Sequence, residues 1–279
     1  MGLWLILCGL VKKVLVADVI GANLVDGVFE TPELYSSLEA LVASYGYTVQ
    51  IYCDFSGYSD IAVGTALLIG YRLPENFDRP FQSGNLAEFW RRWHKSLSFW
   101  LRDYLYIPLG GSRHGTWKTY RNLFITMLLG GLWHGNTWNY VIWGALHGVG
   151  LAGVRMFQRW RGETEKPSLF IRGLYIALTF HFVVFCFVIF RAETMTHAWG
   201  VFTAICLGGF SMTNLPWWVG MLVGAALIIH WTPRRWNFKL GATFQAAPSW
   251  AQALALAWLA IGLYQVKGAD IRPFIYFQF

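Results

Sequence analysis

Long apolar segments, separated by short clusters of positive charge, limit most strongly how this chain can fold. Leu169–Phe190 is one of these segments, and Arg172 is its one residue with a full charge. The 279 residues are 56% hydrophobic and 13% charged, with a mean hydropathy of +0.41. A water-soluble globule of this size needs more polar surface than that. We therefore expect an all-α, polytopic membrane protein, with a single membrane domain over residues 1–279.

The formal net charge of +7 raises the question of an acidic partner. The Lys and Arg residues lie in short clusters between apolar segments, whereas nucleic-acid binding would use one continuous basic face. Basic loops are typical of the cytoplasmic side of a membrane protein, so we expect no nucleic-acid partner. No CxxC spacing is present, and we expect packed thiols at the four cysteines, Cys8, Cys53, Cys186 and Cys206.

Two carboxylates, Asp54 and Asp60, lie within the mostly apolar stretch from Ser36 to about Tyr71. Six residues correspond to about 240° of rotation on a helix, so the two side chains point to different faces. A charge inside a membrane segment costs roughly 2.5–3.5 kcal/mol on insertion scales unless it has a partner or water. We expect Arg or Trp partners within the bundle, and a direct functional role is the alternative. Gly2–Ile20 is expected either to span obliquely or to lie partly in the interface, with Lys12 and Lys13 extending outward.

Charge and proline patterns divide the remaining chain. Asn85–Tyr106 has helical spacing with one polar and one apolar stripe, which predicts an interfacial or re-entrant helix. Three segments are expected to be loops, namely Arg72–Pro80, Ser112–Arg121 and Pro233–Pro248. Three others are expected to span a membrane, namely Leu169–Phe190, Leu215–Trp231 and Trp250–Val266.

His134 is the strongest candidate for acid–base chemistry. It follows a short apolar helix, and Gly130, Gly131 and Gly135 around it allow close approach of backbones and of a substrate chain. Histidine titrates near neutrality, so a buried imidazole suits proton abstraction from an alcohol or thiol. The alternative, a histidine that only packs and donates to a carbonyl, has equal weight on the residues alone. Trp133 would restrict access to the ring.

Asn139 and His147 lie about 80° apart on the next helix, so they are expected to line the same cavity. The histidines show no i,i+4 pairing among themselves and no nearby Cys or Glu set, so we expect no metal site. No GxxxxGK[ST] is present, which argues against a Walker-type nucleotide fingerprint.

Five motifs follow one another along the chain: Asp54-Phe55-Ser56-Gly57-Tyr58-Ser59-Asp60, Pro74-Glu75-Asn76-Phe77, Phe89-Trp90-Arg91-Arg92-Trp93-His94, Arg102-Asp103-Tyr104-Leu105-Tyr106-Ile107-Pro108-Leu109-Gly110-Gly111 and Gly131-Leu132-Trp133-His134-Gly135. Together they resemble the membrane-bound O-acyltransferase (MBOAT) family, and especially its bacterial branch that O-acetylates alginate and other extracellular polysaccharides. The resemblance covers nearly the whole chain.

This resemblance implies a helical cup with re-entrant segments around a central tunnel, in the cell inner membrane. It implies two catalytic histidines, His134 and an earlier partner that corresponds to His94. The acyl donor would be acetyl-CoA from the cytoplasm, used as a substrate, with no resident cofactor. The acetyl group would pass towards a periplasmic acetyltransferase and the extracellular polysaccharide machinery. His134 is expected to act as general base and His94 to position or polarise the thioester.

Further expectations concern the donor phosphates, the tunnel wall and the N-terminal part of the cup. Arg91 and Arg92 are expected to attract the phosphates of the donor, although a basic cytoplasmic loop has the same composition without a ligand. Asp54 is a further candidate for the tunnel wall. Family members are longer, so we expect a partial cup, with a separate chain as a possible source of the N-terminal half. The rival functions are a proton-coupled transporter that uses Asp54, Asp60 and the histidines, and an inactive truncated scaffold.

Overall fold

The computed structural model describes residues 1–162, 167–266 and 274. Within these residues there is no β-strand, which confirms the all-α expectation. Short π-helical or 3₁₀-helical turns lie between some of the helices. The α-helices are α1 (Gly2–Leu10), α2 (Asp26–Glu30), α3 (Ser37–Leu68), α4 (Leu86–Arg92), α5 (Lys95–Leu101), α6 (Thr116–His134), α7 (Trp138–Arg161), α8 (Leu169–Arg191), α9 (Met195–Leu207), α10 (Trp217–His230), α11 (Arg234–Ala246) and α12 (Ser249–Val266).

The chain divides into two compact units. The first contains Met1–Glu75 and Val201–Phe279, and the second contains Asn76–Gly200. Both candidate catalytic histidines belong to the second unit. The expectations of a single membrane domain and a central tunnel stay predictions.

Glycine pairs hold α1 against α3 in the first unit. A Cβ atom added to Gly9 would lie 2.6 Å from the carbonyl oxygen of Gly57, and one added to Gly64 would lie 2.6 Å from that of Gly2. The two contacts are seven residues apart on each helix, and their order shows that α1 and α3 are antiparallel. Small residues at such spacing let helix backbones approach closely, as is common in apolar helix bundles.

This close approach brings two lysines to the carboxylates of α3. Lys13 Nζ lies 2.5 Å from Asp54 Oδ1 and 2.8 Å from Asp18 Oδ1, while Lys12 Nζ lies 2.7 Å from Asp60 Oδ2. The expected pairing is confirmed, but the partners are lysines rather than Arg or Trp. Lys13 is only 5% exposed, so the outward orientation predicted for it is wrong. A buried carboxylate without a charged partner is costly, and pairing with Asp54 offsets the loss of hydration of Lys13.

The second unit is built around a hairpin of α6 and α7. A Cβ on Gly144 would lie 2.5 Å from the carbonyl oxygen of Met127, and one on Gly148 would lie 2.9 Å from Cα of Phe124. The backbones of the two helices therefore touch along much of their length. Asn139 joins this hairpin to the end of α8, since its Nδ2 donates to the carbonyl oxygens of Ile189 at 3.1 Å and Ala192 at 2.6 Å.

The structure corrects two of the predicted loops. Helix α6 begins at Thr116, within the expected loop Ser112–Arg121, and α11 occupies most of Pro233–Pro248. Lys and Arg are good helix formers, so a cluster of positive charge does not by itself mark a loop. Residues 72–79 are non-helical, as expected.

By length and composition, α8 is the one described helix able to cross a membrane alone. Arg234–Ala246 and Ser249–Tyr264 meet the same criterion only as a pair, which is bent by 119°. Helices α9 and α10 are apolar but shorter. The expected span Leu215–Trp231 is thus represented by a 14-residue helix, and the multi-pass topology stays a prediction.

The glycine contact between α1 and α3 predicts that alanine substitutions at two glycines will change stability in opposite directions. Gly9→Ala should lower the free energy of unfolding by about 1–3 kcal/mol, because the new methyl group meets backbone. Gly224→Ala on α10 is the matched control, since its Cβ would meet nothing within 4 Å. That variant should raise stability by up to about 1 kcal/mol through helix propensity. Thermal unfolding in detergent measures both, and equal shifts would contradict the proposed helix contact.

Candidate functional site

His94 lies at a break between two helices. We expected a single helix over Asn85–Tyr106, but α4 and α5 have seven residues each and are separated by Trp93 and His94. His94 has φ +42° and ψ +57°, the left-handed conformation that non-glycine residues adopt at a cost. The single-helix prediction is therefore wrong at the residue that carries the candidate chemistry.

The preceding loop holds this break in place. The backbone N–H of Lys95 donates to the carbonyl of Asn76 at 3.0 Å, and that of Asp78 donates to the carbonyl of Arg92 at 2.9 Å. These two bonds connect both sides of the break to residues 76–78. Helical periodicity in the sequence does not contain this information, because it depends on a partner about fifteen residues away.

Asn76 and Ser96 also orient the ring of His94. The backbone N–H of Ser96 donates to Asn76 Oδ1 at 3.1 Å, which identifies the amide oxygen, and Ser96 Oγ donates to the same oxygen at 3.0 Å. Ser96 has only one hydroxyl hydrogen, so its oxygen accepts from His94 Nδ1, 3.2 Å away. The neutral ring thus carries its proton on Nδ1, and its lone pair is on Nε2.

Burial keeps His94 neutral. The side chain is 8% exposed, and Phe77 stacks against it with ring centroids 6.5 Å apart. Desolvation, and then the charge of His134, lower the pKa of His94 to about 3. At neutral pH the imidazole is therefore neutral and can accept a hydrogen bond, and it is not a cation. Ring contacts through Phe77, Trp93 and Phe89 connect His94 to the aromatic residues of α7.

His134 is the last residue of α6 and is enclosed by aromatic rings. Its ring centroid lies 5.0 Å from that of Trp133, 5.2 Å from that of Trp143 and 5.1 Å from that of Phe190. The side chain is 6% exposed, whereas Trp133 is 61% exposed. The ring of His134 is thus buried among aromatic rings, and Trp133 lies on the exposed side of this group.

His147 belongs to the same aromatic cluster. Trp90 Nε1 donates to His147 Nδ1 at 3.2 Å, and the ring of Trp143 lies 4.7 Å from that of His147. His147 is fully buried. The structure therefore brings together three of the predicted site residues, His94, His134 and His147, in the second unit.

The remaining predicted residues have other surroundings. Asn139 is buried, but its amide nitrogen donates to two carbonyls at the end of α8. Arg91 is exposed, and Arg92 donates to Glu88 Oε1 at 2.7 Å within α4. Asp54 belongs to the first unit, where it pairs with Lys13.

Sequence reasoning missed Asn76, Ser96 and Trp143 as parts of the site. Asn76 is part of one of the motifs, but its role in orienting His94 is visible only from its contacts with Lys95 and Ser96. Among the described residues, no group of three or more His, Cys, Asp or Glu side chains is arranged to hold a metal ion.

Comparison with known proteins agrees with the motifs. The family model described as "MBOAT, membrane-bound O-acyltransferase family" matches residues 1–193 of this chain. The chain belongs to the membrane-bound O-acyltransferase family. The matched range includes α4 to α8 of this MBOAT protein, and with them all three clustered histidines.

Three relatives of this MBOAT protein have names that specify a transfer reaction. It is 46% identical over 225 residues to a "Probable alginate O-acetylase" of Pseudomonas aeruginosa, which covers 80% of this chain and 42% of the relative. It is 40% identical over 217 residues to a "Peptidoglycan O-acetyltransferase" of Helicobacter pylori, with coverages of 77% and 40%. It is 36% identical over 171 residues to a "Teichoic acid D-alanyltransferase" of Bacillus subtilis, with coverages of 56% and 42%. The chain spans about half the length of the curated relatives it matches.

The hydrogen bonds of this MBOAT site predict opposite tautomers for two neighbouring histidines. His94 should carry its proton on Nδ1, because Ser96 Oγ accepts there, and His147 on Nε2, because the indole of Trp90 can only donate to its Nδ1. Solid-state NMR of protein with ¹⁵N-labelled histidine separates protonated from lone-pair nitrogens. The two residues are assigned from the signals lost in His94→Gln and His147→Gln.

In Asn76→Ala, the proton of His94 should no longer be confined to Nδ1, while His147 should keep its proton on Nε2. The signal of His147 is therefore the internal control for that of His94. Identical tautomers in the unaltered protein would contradict this hydrogen-bond arrangement.

Proposed function

We propose that this chain catalyses O-acyl transfer to a polysaccharide, with His134 as the general base. The observation that carries the proposal is the burial of His134 and His94 in one continuous cluster of aromatic rings. Family membership supports the reaction class. The relatives' names support a polymeric acceptor, since they specify alginate, peptidoglycan and teichoic acid.

In the proposed reaction, the acceptor hydroxyl loses its proton to His134 as its oxygen attacks the carbonyl carbon of the acyl thioester. The new C–O bond forms, the C–S bond breaks, and the proton passes from His134 to the leaving thiolate. An ester and a thiol result, so the proton returns to a product and His134 is neutral again. The aromatic rings around His134 exclude water, which would otherwise hydrolyse the thioester.

The tautomer of His94 changes the role proposed for it. Polarising a carbonyl requires a donor, but Nδ1–H of His94 is used by Ser96, and Nε2 has the lone pair. We therefore assign His94 Nε2 to accept a hydrogen bond from a second, non-reacting hydroxyl of the acceptor, in place of the expected contact with the thioester, because the reacting hydroxyl gives its one hydrogen to His134. Asn76 and Ser96 are positioning residues for this role.

We further propose acetyl as the acyl group and acetyl-CoA as its cytoplasmic donor. Support comes from the acetylase names of the relatives with higher identity, whereas a D-alanyltransferase is the less similar relative. Transfer of the acetyl group towards a periplasmic acetyltransferase extends the same proposal. The exposed side chain of Arg91 is compatible with contact to donor phosphates.

The rival hypothesis, a proton-coupled transporter, has less support. Its proton relay would use Asp54 and Asp60, but each carboxylate is paired with a lysine at 2.5 Å or 2.7 Å.

Substitution of the two histidines tests the proposed roles. His134→Ala should reduce transfer of radiolabelled acetyl groups from acetyl-CoA by about 10²–10⁴-fold, the usual contribution of a general base. His94→Ala should also reduce it, whereas His114→Ala is the matched control because His114 is exposed in the loop before α6. The assay uses membranes that contain equal amounts of each variant. Undiminished transfer by His134→Ala would disprove its role as a base.

A carboxylate at position 76 should change the pH profile. Asn76→Asp would put a negative charge near Nδ1 of His94, which is 3.4 Å from Asn76 Oδ1, and would raise the pKa of His94 from its low value. Protonated His94 cannot accept a hydrogen bond. As the pH is lowered, transfer should therefore be lost at a higher pH in Asn76→Asp than in the unaltered protein. Rates measured from pH 3 to pH 9 test this, and an acid limb at the same pH in both proteins would contradict the role of His94.

A further inference from the structure

Two buried N–H groups in the aromatic cluster have no acceptor among the described residues. They are Nε2 of His147 and Nε1 of Trp143. His147 is fully buried and Trp143 is 3% exposed, so bulk water does not reach either group. A buried donor without an acceptor costs free energy, and native structures seldom keep one without a reason.

Both atoms are donors, not acceptors. An indole N–H can only donate, which settles Trp143 directly. Trp90 is also an indole, and its N–H points at His147 Nδ1 from 3.2 Å, so the neutral ring of His147 has its hydrogen on Nε2. The group that would satisfy this pair must therefore be an acceptor, such as a carbonyl oxygen or an oxyanion.

The two rings that carry these donors are neighbours, and one of them contacts the proposed base. Trp143 and His147 are one turn apart on α7, and their ring centroids are 4.7 Å apart. The ring of Trp143 also meets that of His134 edge-on, with centroids 5.2 Å apart and an angle of 87°. The nearby rings of Phe182 and Phe190 make this place apolar. Hydrogen bonds to a developing charge are strongest in such a low-dielectric environment.

We propose that Trp143 Nε1–H and His147 Nε2–H bind the carbonyl oxygen of the acyl group during transfer. This inference rests on the proposed function and adds the electrophilic half of that site. When the acceptor oxygen attacks, negative charge moves to the carbonyl oxygen, and the two fixed donors stabilise it until the C–S bond breaks. Trp90 is the positioning residue, because its indole keeps the proton of His147 on the nitrogen that serves the oxygen.

Kinetics distinguish this role from simple packing. Trp143→Phe keeps an aromatic ring and removes the donor, so kcat should fall about a hundredfold, while KM should change less than about threefold. Trp117→Phe is the control for the same exchange, since Trp117 is 79% exposed. His147→Gln retains an amide donor and should lose less than His147→Leu. The double variant Trp143→Phe, His147→Leu should lose less than the product of the single effects, because both donors act on one oxygen.

Infrared spectroscopy tests the contact itself. Acetyl-CoA labelled with ¹³C at the carbonyl is bound to the protein in membranes without an acceptor. Two donors should move the thioester carbonyl band to lower frequency than in free acetyl-CoA, and Trp143→Phe should move it part of the way back. This measurement needs only folded protein that binds the donor, so a variant with low turnover still gives an answer.

The outcomes separate the two proposals. Acetyl transfer with an unshifted carbonyl band, and with unchanged kcat in Trp143→Phe, would show that the donor pair holds only a buried water and would overturn this inference alone. No transfer and no bound thioester in the unaltered protein would contradict the proposed function, and this inference with it.

Discussion

In a chain with so few charges, a buried polar group has to find its partner inside the protein. Water competes little in such surroundings, so an unpaired charge or donor is expensive and a paired one is held firmly. Lys13 and Asp54 satisfy each other in the first unit, and Asn139 satisfies the carbonyls of Ile189 and Ala192 in the second. These bonds determine how neighbouring helices align as much as the apolar surfaces do.

The same requirement organises the candidate site. His94 is oriented by Ser96 and Asn76, and His147 is oriented by Trp90. Because one partner accepts and the other donates, the two imidazoles are left in opposite tautomers. One presents a lone pair and the other an N–H, as a reaction that both orients a hydroxyl and stabilises an oxyanion requires.

Small residues make this arrangement possible. Gly131, Gly144 and Gly148 bring the backbones of α6 and α7 into contact, so that the end of α6 reaches the aromatic rings of α7 and α8. Gly2, Gly9, Gly57 and Gly64 do the same for α1 and α3, and the Lys–Asp pairs follow from that closeness. In a membrane the hydrophobic effect contributes little to association between helices, so close van der Waals packing becomes a main driving force.

The sequence by itself determined the helical class, the family and the identity of His94 and His134 as candidates, because apolar segments and short motifs are local properties of the chain. It also indicated that Asp54 and Asp60 need partners. It could not determine which partners they have, nor that the helix over Asn85–Tyr106 breaks at His94. Only the tertiary structure decided these points, since each depends on residues far apart in the chain: Lys13 for Asp54, Asn76 for His94 and Trp90 for His147. Hydrogen bonding and burial are settled by such distant contacts, whereas periodicity and composition record only what lies within a few turns of a helix.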